Sequence, residues 1–220
     1  MKVKKEKDRG WVSLVLAVVF VIVVIGTFSY LFRDRSETLV TASPGFGVVA
    51  IDPFDQEAGP IGTGKDSADW VSLRGEWSVA AGAAFVSDPA PLRNIAAIDA
   101  GPQASVKAAI SGLGRCGLVA NLVDERNYLS LVRIEKYGIW NLEQTANGTT
   151  NRLAAVVGSQ GTALNASIEV QLPIVTASVG DQHVSVRIQD LTPGRSAGLF
   201  AADPEPSDCV FDDVVISRPN

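Results

Sequence analysis

The chain has 220 residues, which is enough for one domain of ordinary size and one further segment. From residue 36 onward it carries 12 Lys and Arg against 21 Asp and Glu, a net charge of −9. A protein that binds nucleic acid needs a basic face against the phosphates, and this acidic balance therefore excludes nucleic acid as a partner.

The chain begins with a basic stretch followed by a long apolar run. Residues 1–10 hold five Lys and Arg, and residues 11–32 follow as 22 residues without a charge. At about 1.5 Å per residue, a helix of this length spans a bilayer core of roughly 30 Å. More Lys and Arg precede the run than follow it, so the N-terminus is expected to stay in the cytoplasm. The pattern predicts a single-pass anchor in the cell membrane, with the rest of the chain outside the cytoplasm.

Two processing signals are alternatives to this anchor. A cleaved signal peptide has a shorter apolar region, of about 7–15 residues, and a small-residue cleavage site, which "FSYLFRDRSE" does not offer. A type IV prepilin leader also joins a short basic segment and a Gly to an apolar helix. It usually carries Glu where this chain has Val15. Both departures favour an uncleaved anchor.

A polar linker is predicted over residues 33–45, and strands and turns are predicted over residues 46–220. In the second part, short alternating or apolar runs are separated by Gly, Pro, Asn and Asp about every 8–12 residues. No stretch after residue 46 keeps the 3.6-residue period of a helix. About a dozen strands are predicted, which is more than an immunoglobulin domain contains. They predict an all-β protein, an antiparallel two-sheet jelly-roll sandwich preceded by one transmembrane α-helix.

Cys116 and Cys209 are the two cysteines of the chain. Their spacing excludes a CxxC metal or redox motif. A domain outside the cytoplasm can keep a disulfide, and a bridge here would tie the last predicted strand to the sheet that contains residues 117–123. A single disulfide is therefore predicted, with two separate buried thiols as the alternative.

Several motifs in this part of the chain resemble those of one superfamily. Residues 51–86 hold an Asp-x-Phe strand, a Gly-Thr turn, a Trp and a Gly-x-Trp-x-Val-x-x-Gly segment, at Asp52, Phe54, Gly62, Thr63, Trp70, Gly75, Trp77, Val79 and Gly82. A central "RCGLVANLVDERNYLSLVRI" and a closing "GLFAADPEPSDCVFDDVVIS" follow. In this order the motifs resemble the concanavalin A-like lectin and glucanase jelly rolls, including laminin-G-like modules of bacterial and phage exterior proteins. The resemblance covers residues 46–220 and implies the fold, which does not fix activity within this superfamily.

The charged tip of the central hairpin consists of Asp124, Glu125, Arg126 and Asn127. Asp and Asn bond to their own backbone and tolerate left-handed conformations, so they suit turns. Opposite charges on an exposed tip would form pairs that contribute little to stability. The tip is therefore predicted to be a solvated turn and not a site.

The sequence lacks the residue patterns of three common kinds of catalytic or metal site. Hydrolases of the resembled superfamily carry a Glu-x-Asp-x-x-Glu set on one concave strand, because glycoside hydrolysis needs two carboxylates across the bond. No such set is present. "GRSAG" surrounds Ser196, but a strand-to-helix elbow and a later His are required, and the only histidine is His183. One His and two distant Cys cannot form a zinc site. We therefore predict that the protein is not an enzyme.

A structural calcium ion is the one cofactor that the resemblance suggests. Several relatives hold one between the first strand and an Asp of the last, and the corresponding residues here are Asp52, Asp212 and Asp213. Calcium takes six to eight oxygen ligands, including backbone carbonyls. The alternative is that these carboxylates accept hydrogen bonds from loop backbone.

Sugar recognition commonly combines an aromatic ring with amide and charged groups, since Tyr and Trp offer an apolar ring and a polar handle. The predicted ligand-binding residues are Asn121, Arg133, Tyr137 and Trp140, with Tyr128 as a further candidate. The alternatives are a core position for Trp140 and a plain surface position for Arg133 and Tyr137.

These patterns together predict a membrane-anchored module outside the cytoplasm that recognises a carbohydrate or another cell-surface component without catalysis. One alternative is a structural or adhesion subunit of an envelope or appendage assembly, which an exposed apolar patch without a groove would favour. The other is a glycan-active hydrolase or lyase with an unfamiliar carboxylate pair. Two carboxylates within about 10 Å in a concave cleft would favour that alternative.

Overall fold

The structure is a computed structural model, and the part of the chain that it describes consists of residues 45–63, 68–112, 114–134, 138–158, 163–202 and 209–220. The predicted cytoplasmic tail, the predicted transmembrane helix and all of the predicted linker except Gly45 lie outside these residues. Within them, no helix has the length and apolar character needed to cross a membrane. The described residues all belong to one compact unit.

The described part of the chain contains strands and no helix, in agreement with the lack of helical periodicity. The sixteen strands are β1 Phe46–Asp52, β2 Gly59–Pro60, β3 Val71–Arg74, β4 Glu76–Ala80, β5 Ala83–Asp88, β6 Asn94–Asp99, β7 Ser105–Gly112, β8 Arg115–Asp124, β9 Asn127–Ile134, β10 Ile139–Ala146, β11 Thr149–Val157, β12 Ala163–Gln171, β13 Ile174–Val179, β14 Gln182–Arg187, β15 Ser196–Ala202 and β16 Cys209–Pro219.

The strands form two antiparallel sheets. Sheet A has the order β14-β13-β12-β7-β16-β5-β4-β2, and β1 also pairs with β16. Sheet B has the order β11-β10-β9-β8-β15-β6-β3. Neighbours such as β7 and β16, or β8 and β15, are distant in sequence, as expected when a jelly roll closes by long connections. The predicted all-β, two-sheet jelly-roll sandwich is confirmed.

The core lies between the sheets because alternate residues of each strand point to opposite faces. In β8, Cys116, Leu118 and Ala120 belong to this core, whereas Val119 faces the other side of sheet B. Burial of such apolar surface contributes about 25 cal/mol per Å². The largest fully buried side chains are Trp77, Trp140, Phe54, Phe211, Ile95, Ile110, Leu118, Leu129, Leu131, Leu142, Ile168 and Leu199.

A second apolar cluster covers the outer face of sheet B, which is the face turned away from the core. We call it the outer cluster; it consists of Ile95, Ala97, Val119, Leu122, Tyr128, Val132, Phe200 and Ala202. Phe200 stands opposite Ile95 on β6 and Gly117 on β8. The rings of Tyr128 and Phe200 have their centroids 6.1 Å apart. The outer face therefore has an apolar floor.

A disulfide joins Cys116 on β8 to Cys209 on β16, and thus links sheet B to sheet A. Both cysteines are buried, and 93 residues separate them in sequence. The predicted single bridge is present, and neither cysteine is a free thiol.

Candidate functional site

Three chain segments meet at one end of sheet B and enclose a pocket of about 360 Å³, here called the end pocket. The segments are the β8–β9 hairpin, the β10–β11 hairpin and the loop between β14 and β15. Most of the lining residues carry amide, hydroxyl or carboxylate groups; they are Asn121, Val123, Asn127, Tyr128, Gln144, Thr145, Ala146, Asn147, Asp190, Leu191 and Thr192. The volume lies in the range of small-ligand pockets, and the amide, hydroxyl and carboxylate groups can exchange hydrogen bonds with a polar ligand.

The charged tip of the β8–β9 hairpin is a turn, as predicted, and it also fastens the neighbouring hairpin. Asp124 Oδ1 accepts a hydrogen bond from the Arg126 backbone N–H at 2.7 Å, and Asn127 Nδ2 donates to both carboxylate oxygens. Asn127 Oδ1 accepts from the Asn147 N–H at 2.9 Å, and Arg126 Nη2 donates to the Asn147 carbonyl at 2.9 Å. These bonds hold the two hairpins together as one wall of the end pocket.

The hydrogen bonds to Asp124 are expected to give a measurable acid transition. The Arg126 backbone N–H, followed by the Asn127 side chain, lowers the pKa of this exposed carboxyl. The stability that this brings is complete above the ordinary pKa of about 3.9 and is lost as pH falls through the lower folded value. A carboxyl-detected NMR titration should place the midpoint below the ordinary value, and Asn127→Ala should raise it. A midpoint at or above the ordinary value would contradict this geometry.

Asn121 lines the end pocket and holds the loop that closes it. The side chain is buried, and its φ of 48° falls in the left-handed region that Asn tolerates. Its Nδ2 donates to the Thr192 carbonyl at 2.8 Å, and its Oδ1 accepts from the Gly194 N–H at 2.9 Å. The amide of this predicted ligand-binding residue is thus bonded to loop backbone, and it positions the pocket.

The other predicted ligand-binding residues do not line the end pocket. Arg133 and Trp140 are paired across β9 and β10 and face the core. Trp140 is 0% exposed, and Arg133 Nη1 donates to the Gly112 carbonyl at 2.7 Å. Tyr137 lies outside the described residues. Of the four predicted ligand-binding residues, only Asn121 lines the end pocket in the described part of the structure.

Asp190, Gln144 and Thr192 are pocket residues that sequence reasoning did not single out. Asp190 is exposed and has a φ of 63°. The available signal was the stretch "DLTPG" between two predicted strands, because Asp, Pro and Gly mark a loop and loops carry much of the binding in such folds. Nothing in the sequence places this loop beside the two hairpins.

The residues of the predicted calcium site lie together along β1 and β16. Asp52 is buried; its Oδ1 accepts from the Phe54 N–H and its Oδ2 from Trp70 Nε1, both at 2.8 Å. Asp52 pairs with the residue that follows Asp213, and Asp212 Oδ1 accepts from the Asp213 N–H. No group of three or more His, Cys, Asp or Glu within the described ranges is placed to hold a metal ion. The calcium ion stays a prediction.

The two residues considered for a catalytic triad are far apart in topology. Ser196 begins β15 in sheet B, and the described residues that follow it, 197–202 and 209–220, contain no helix. His183 is exposed on β14, at the edge of sheet A, opposite Ser178.

Comparison with known proteins supports the fold. No protein-family model matches the sequence, and no curated protein matches it. A non-specific endo-beta-1,3(4)-glucanase from family GH16 is 10% identical, with a TM-score of 0.57, covering 82% of this chain and 94% of its own. The carbohydrate binding module CBM66 from Bacillus subtilis is 13% identical, with a TM-score of 0.55, covering 68% and 95%. A Bacillus licheniformis beta-glucanase is 11% identical, with a TM-score of 0.51, covering 79% and 99%.

At these identities the comparisons establish the fold alone, because the same fold hosts different activities. They agree with the motif resemblance found in residues 46–220. The chain therefore has the concanavalin A-like jelly-roll fold.

Proposed function

We propose that this protein binds a carbohydrate in the end pocket, does not catalyse its cleavage, and is held at the membrane by residues 11–32. The observation that carries the proposal is that three chain segments bring polar groups together in one pocket. Asp190, Gln144 and Thr192 offer a carboxylate, an amide and a hydroxyl, which are the groups that bond sugar hydroxyls. A carbohydrate binding module and glucanases among the similar structures support this class of ligand.

The absence of catalysis is supported by the carboxylates on the outer face of sheet B. Among the described residues of β9, β10 and β15, Glu143 is the one carboxylate. It lies opposite Ser130 on β9 and Arg152 on β11, and accepts from Asn141 Nδ2 at 3.2 Å. Glycoside hydrolysis needs two carboxylates about 5–9.5 Å apart across the bond. Glu143 has no such partner on the neighbouring strands.

The test is a glycan-array assay on the full-length chain in mild detergent, with the variant Asp190→Asn. Hydrogen bonds to a charged carboxylate contribute about 1.5–3 kcal/mol, so the variant is expected to bind the selected glycan at least about tenfold more weakly. Asn tolerates the left-handed backbone of this position, which isolates the loss of charge. The assay repeated with EDTA tests the predicted calcium ion.

The matched control is Asp181→Asn, which makes the same change at an exposed turn residue between β13 and β14 in sheet A. It should leave binding unchanged. Equal binding by the wild type and Asp190→Asn would remove the end pocket as the site. Hydrolysis products from the array glycans would overturn the non-catalytic part of the proposal.

A structural or adhesion subunit is the second candidate, and the exposed face of β1 favours it. Val48, Val49 and Ile51 are 42%, 41% and 53% exposed on a strand that pairs with β16. Exposed apolar side chains on a strand are a common means of contact with another protein. Silence across the glycan array, from a protein shown to be folded, would move the assignment to this role.

A further inference from the structure

Two arginine side chains reach across the outer face of sheet B to the same hairpin. Arg74 ends β3, and its Nη1 lies 3.7 Å from Glu125 Oε2 at the β8–β9 tip. Arg93 directly precedes β6, and its Nη1 donates to the Tyr128 hydroxyl at 2.6 Å. Arg74 Nη2 also donates to the Pro91 carbonyl at 3.0 Å, two residues before Arg93. The two guanidinium groups therefore occupy one patch, beside the wall that Tyr128 contributes to the end pocket.

The positive charge in this patch is only partly balanced. Glu125 is half exposed, and its Oε2 lies 3.7 Å from Arg74 Nη1. An exposed ion pair at this distance is weak. Arg93 meets no carboxylate within the described part of the chain; its partner is a neutral phenol, and its guanidinium carbon lies 5.9 Å from the centre of the Tyr128 ring. Arg74 Nε is buried and has no acceptor among the described residues. The Arg74 side chain is 33% exposed and each guanidinium carries five N–H groups, so the patch can bond a further anion.

The surroundings strengthen the attraction of this patch for an anion. The outer cluster, which includes Tyr128 and Phe200, forms an apolar floor beside the two arginines. Charges beside such a floor interact more strongly than charges in open water. Guanidinium groups are planar and bond carboxylates through two parallel N–H groups, which gives both affinity and orientation.

From this geometry we infer that Arg74 and Arg93 bind the carboxylate of an acidic sugar residue, in a glycan whose neighbouring residue occupies the end pocket. The inference rests on the proposed carbohydrate binding and names its ligand class as uronate-containing glycans. Tyr128 connects the two parts, because it lines the end pocket and bonds Arg93.

The test uses the full-length chain in mild detergent and pairs of probes that differ only at the carboxyl group. The probes are oligogalacturonate, oligoglucuronate and oligomannuronate, each as the free acid and as the methyl ester. The free acid of at least one sugar should bind about tenfold or more tightly than its ester, and the difference should shrink at high salt. Arg93→Gln should abolish the preference for the acid, and Arg93→Lys should keep part of it.

Arg187→Gln is the matched control, because it removes one positive charge from an exposed position on β14 of sheet A. It should keep the preference, and thermal melts should show that each variant is folded. Equal binding of acid and ester, or binding of neutral glycans only, would overturn the inference and leave the proposed function standing. Binding of no glycan at all would overturn both.

Discussion

Removal of the Cys116–Cys209 disulfide is expected to lower the free energy of unfolding of the domain by about 4.6 kcal/mol. The bridge spans 93 residues. In the loop-entropy model, closing a loop of this length removes that much conformational freedom from the unfolded chain. This bridge also joins the two sheets, so its loss releases the last strand from the strand that carries the end-pocket hairpin. The measurement is urea unfolding of the wild type and of Cys116→Ala/Cys209→Ala.

The effect of the disulfide can be separated from that of the lost sulfur atoms. The wild type under reducing agent should unfold at nearly the same urea concentration as the double variant, and the double variant should be insensitive to reducing agent. Mass spectrometry of a proteolytic digest without reduction should detect the two cysteine-containing peptides joined as one species. Identical unfolding of the oxidised wild type and the double variant would show that the bridge contributes nothing to stability.

Asn121→Ala is expected to cost about 2–4 kcal/mol of stability and to weaken glycan binding. The change leaves the buried Gly194 N–H without its acceptor, at about 1–3 kcal/mol, whereas the part-buried Thr192 carbonyl can bond to water instead. It also places Ala at a φ of 48°, where Ala lacks the polar side chain that makes Asn tolerant of the left-handed conformation, at a further cost of about 1 kcal/mol. The loop that carries Asp190 then loses its attachment to β8. Urea unfolding measures the stability, and hydrogen exchange over residues 189–195 measures the loop.

Asn121→Gly is the control that isolates the amide. Glycine accepts the left-handed backbone, so this variant loses the hydrogen bonds without the added strain. Its loop should exchange as fast as that of Asn121→Ala, while its stability should lie between the wild type and the Ala variant. Unchanged exchange over residues 189–195 in both variants would mean that Asn121 does not hold the loop.

Carbohydrate recognition and anion recognition are expected to reside in adjacent but separable parts of one surface. Asp190 belongs to the loop that Asn121 fastens, whereas Arg93 reaches the surface from the start of β6. Changes at Asp190 should therefore weaken binding of neutral and acidic probes alike. Changes at Arg93 should affect the acidic probes only.

The sequence by itself was sufficient for the fold class. Period-two alternation and regularly spaced turn residues are local signals in the sequence. They arise because each strand buries one face between the two sheets. The ordered motifs from Asp52 to Gly82 indicated the jelly roll, and the structure shows Phe54, Trp70 and Trp77 buried in its core. The charged tip at Asp124 was correctly interpreted as a turn, because turn chemistry depends on neighbours in sequence.

Only the tertiary structure decided which polar residues share a site. The end pocket joins β8, β10 and the loop before β15, and no local pattern reports that these segments are neighbours. The position of Trp140 could not be predicted for the same reason. An aromatic residue with apolar neighbours suits either a core or a groove, and only the pairing of its strand decides between them. The hydrogen bond from Arg93 to Tyr128 likewise joins residues that are 35 positions apart in sequence. Such contacts arise from long-range strand pairing, which depends on the packing of the whole sandwich rather than on the local chain.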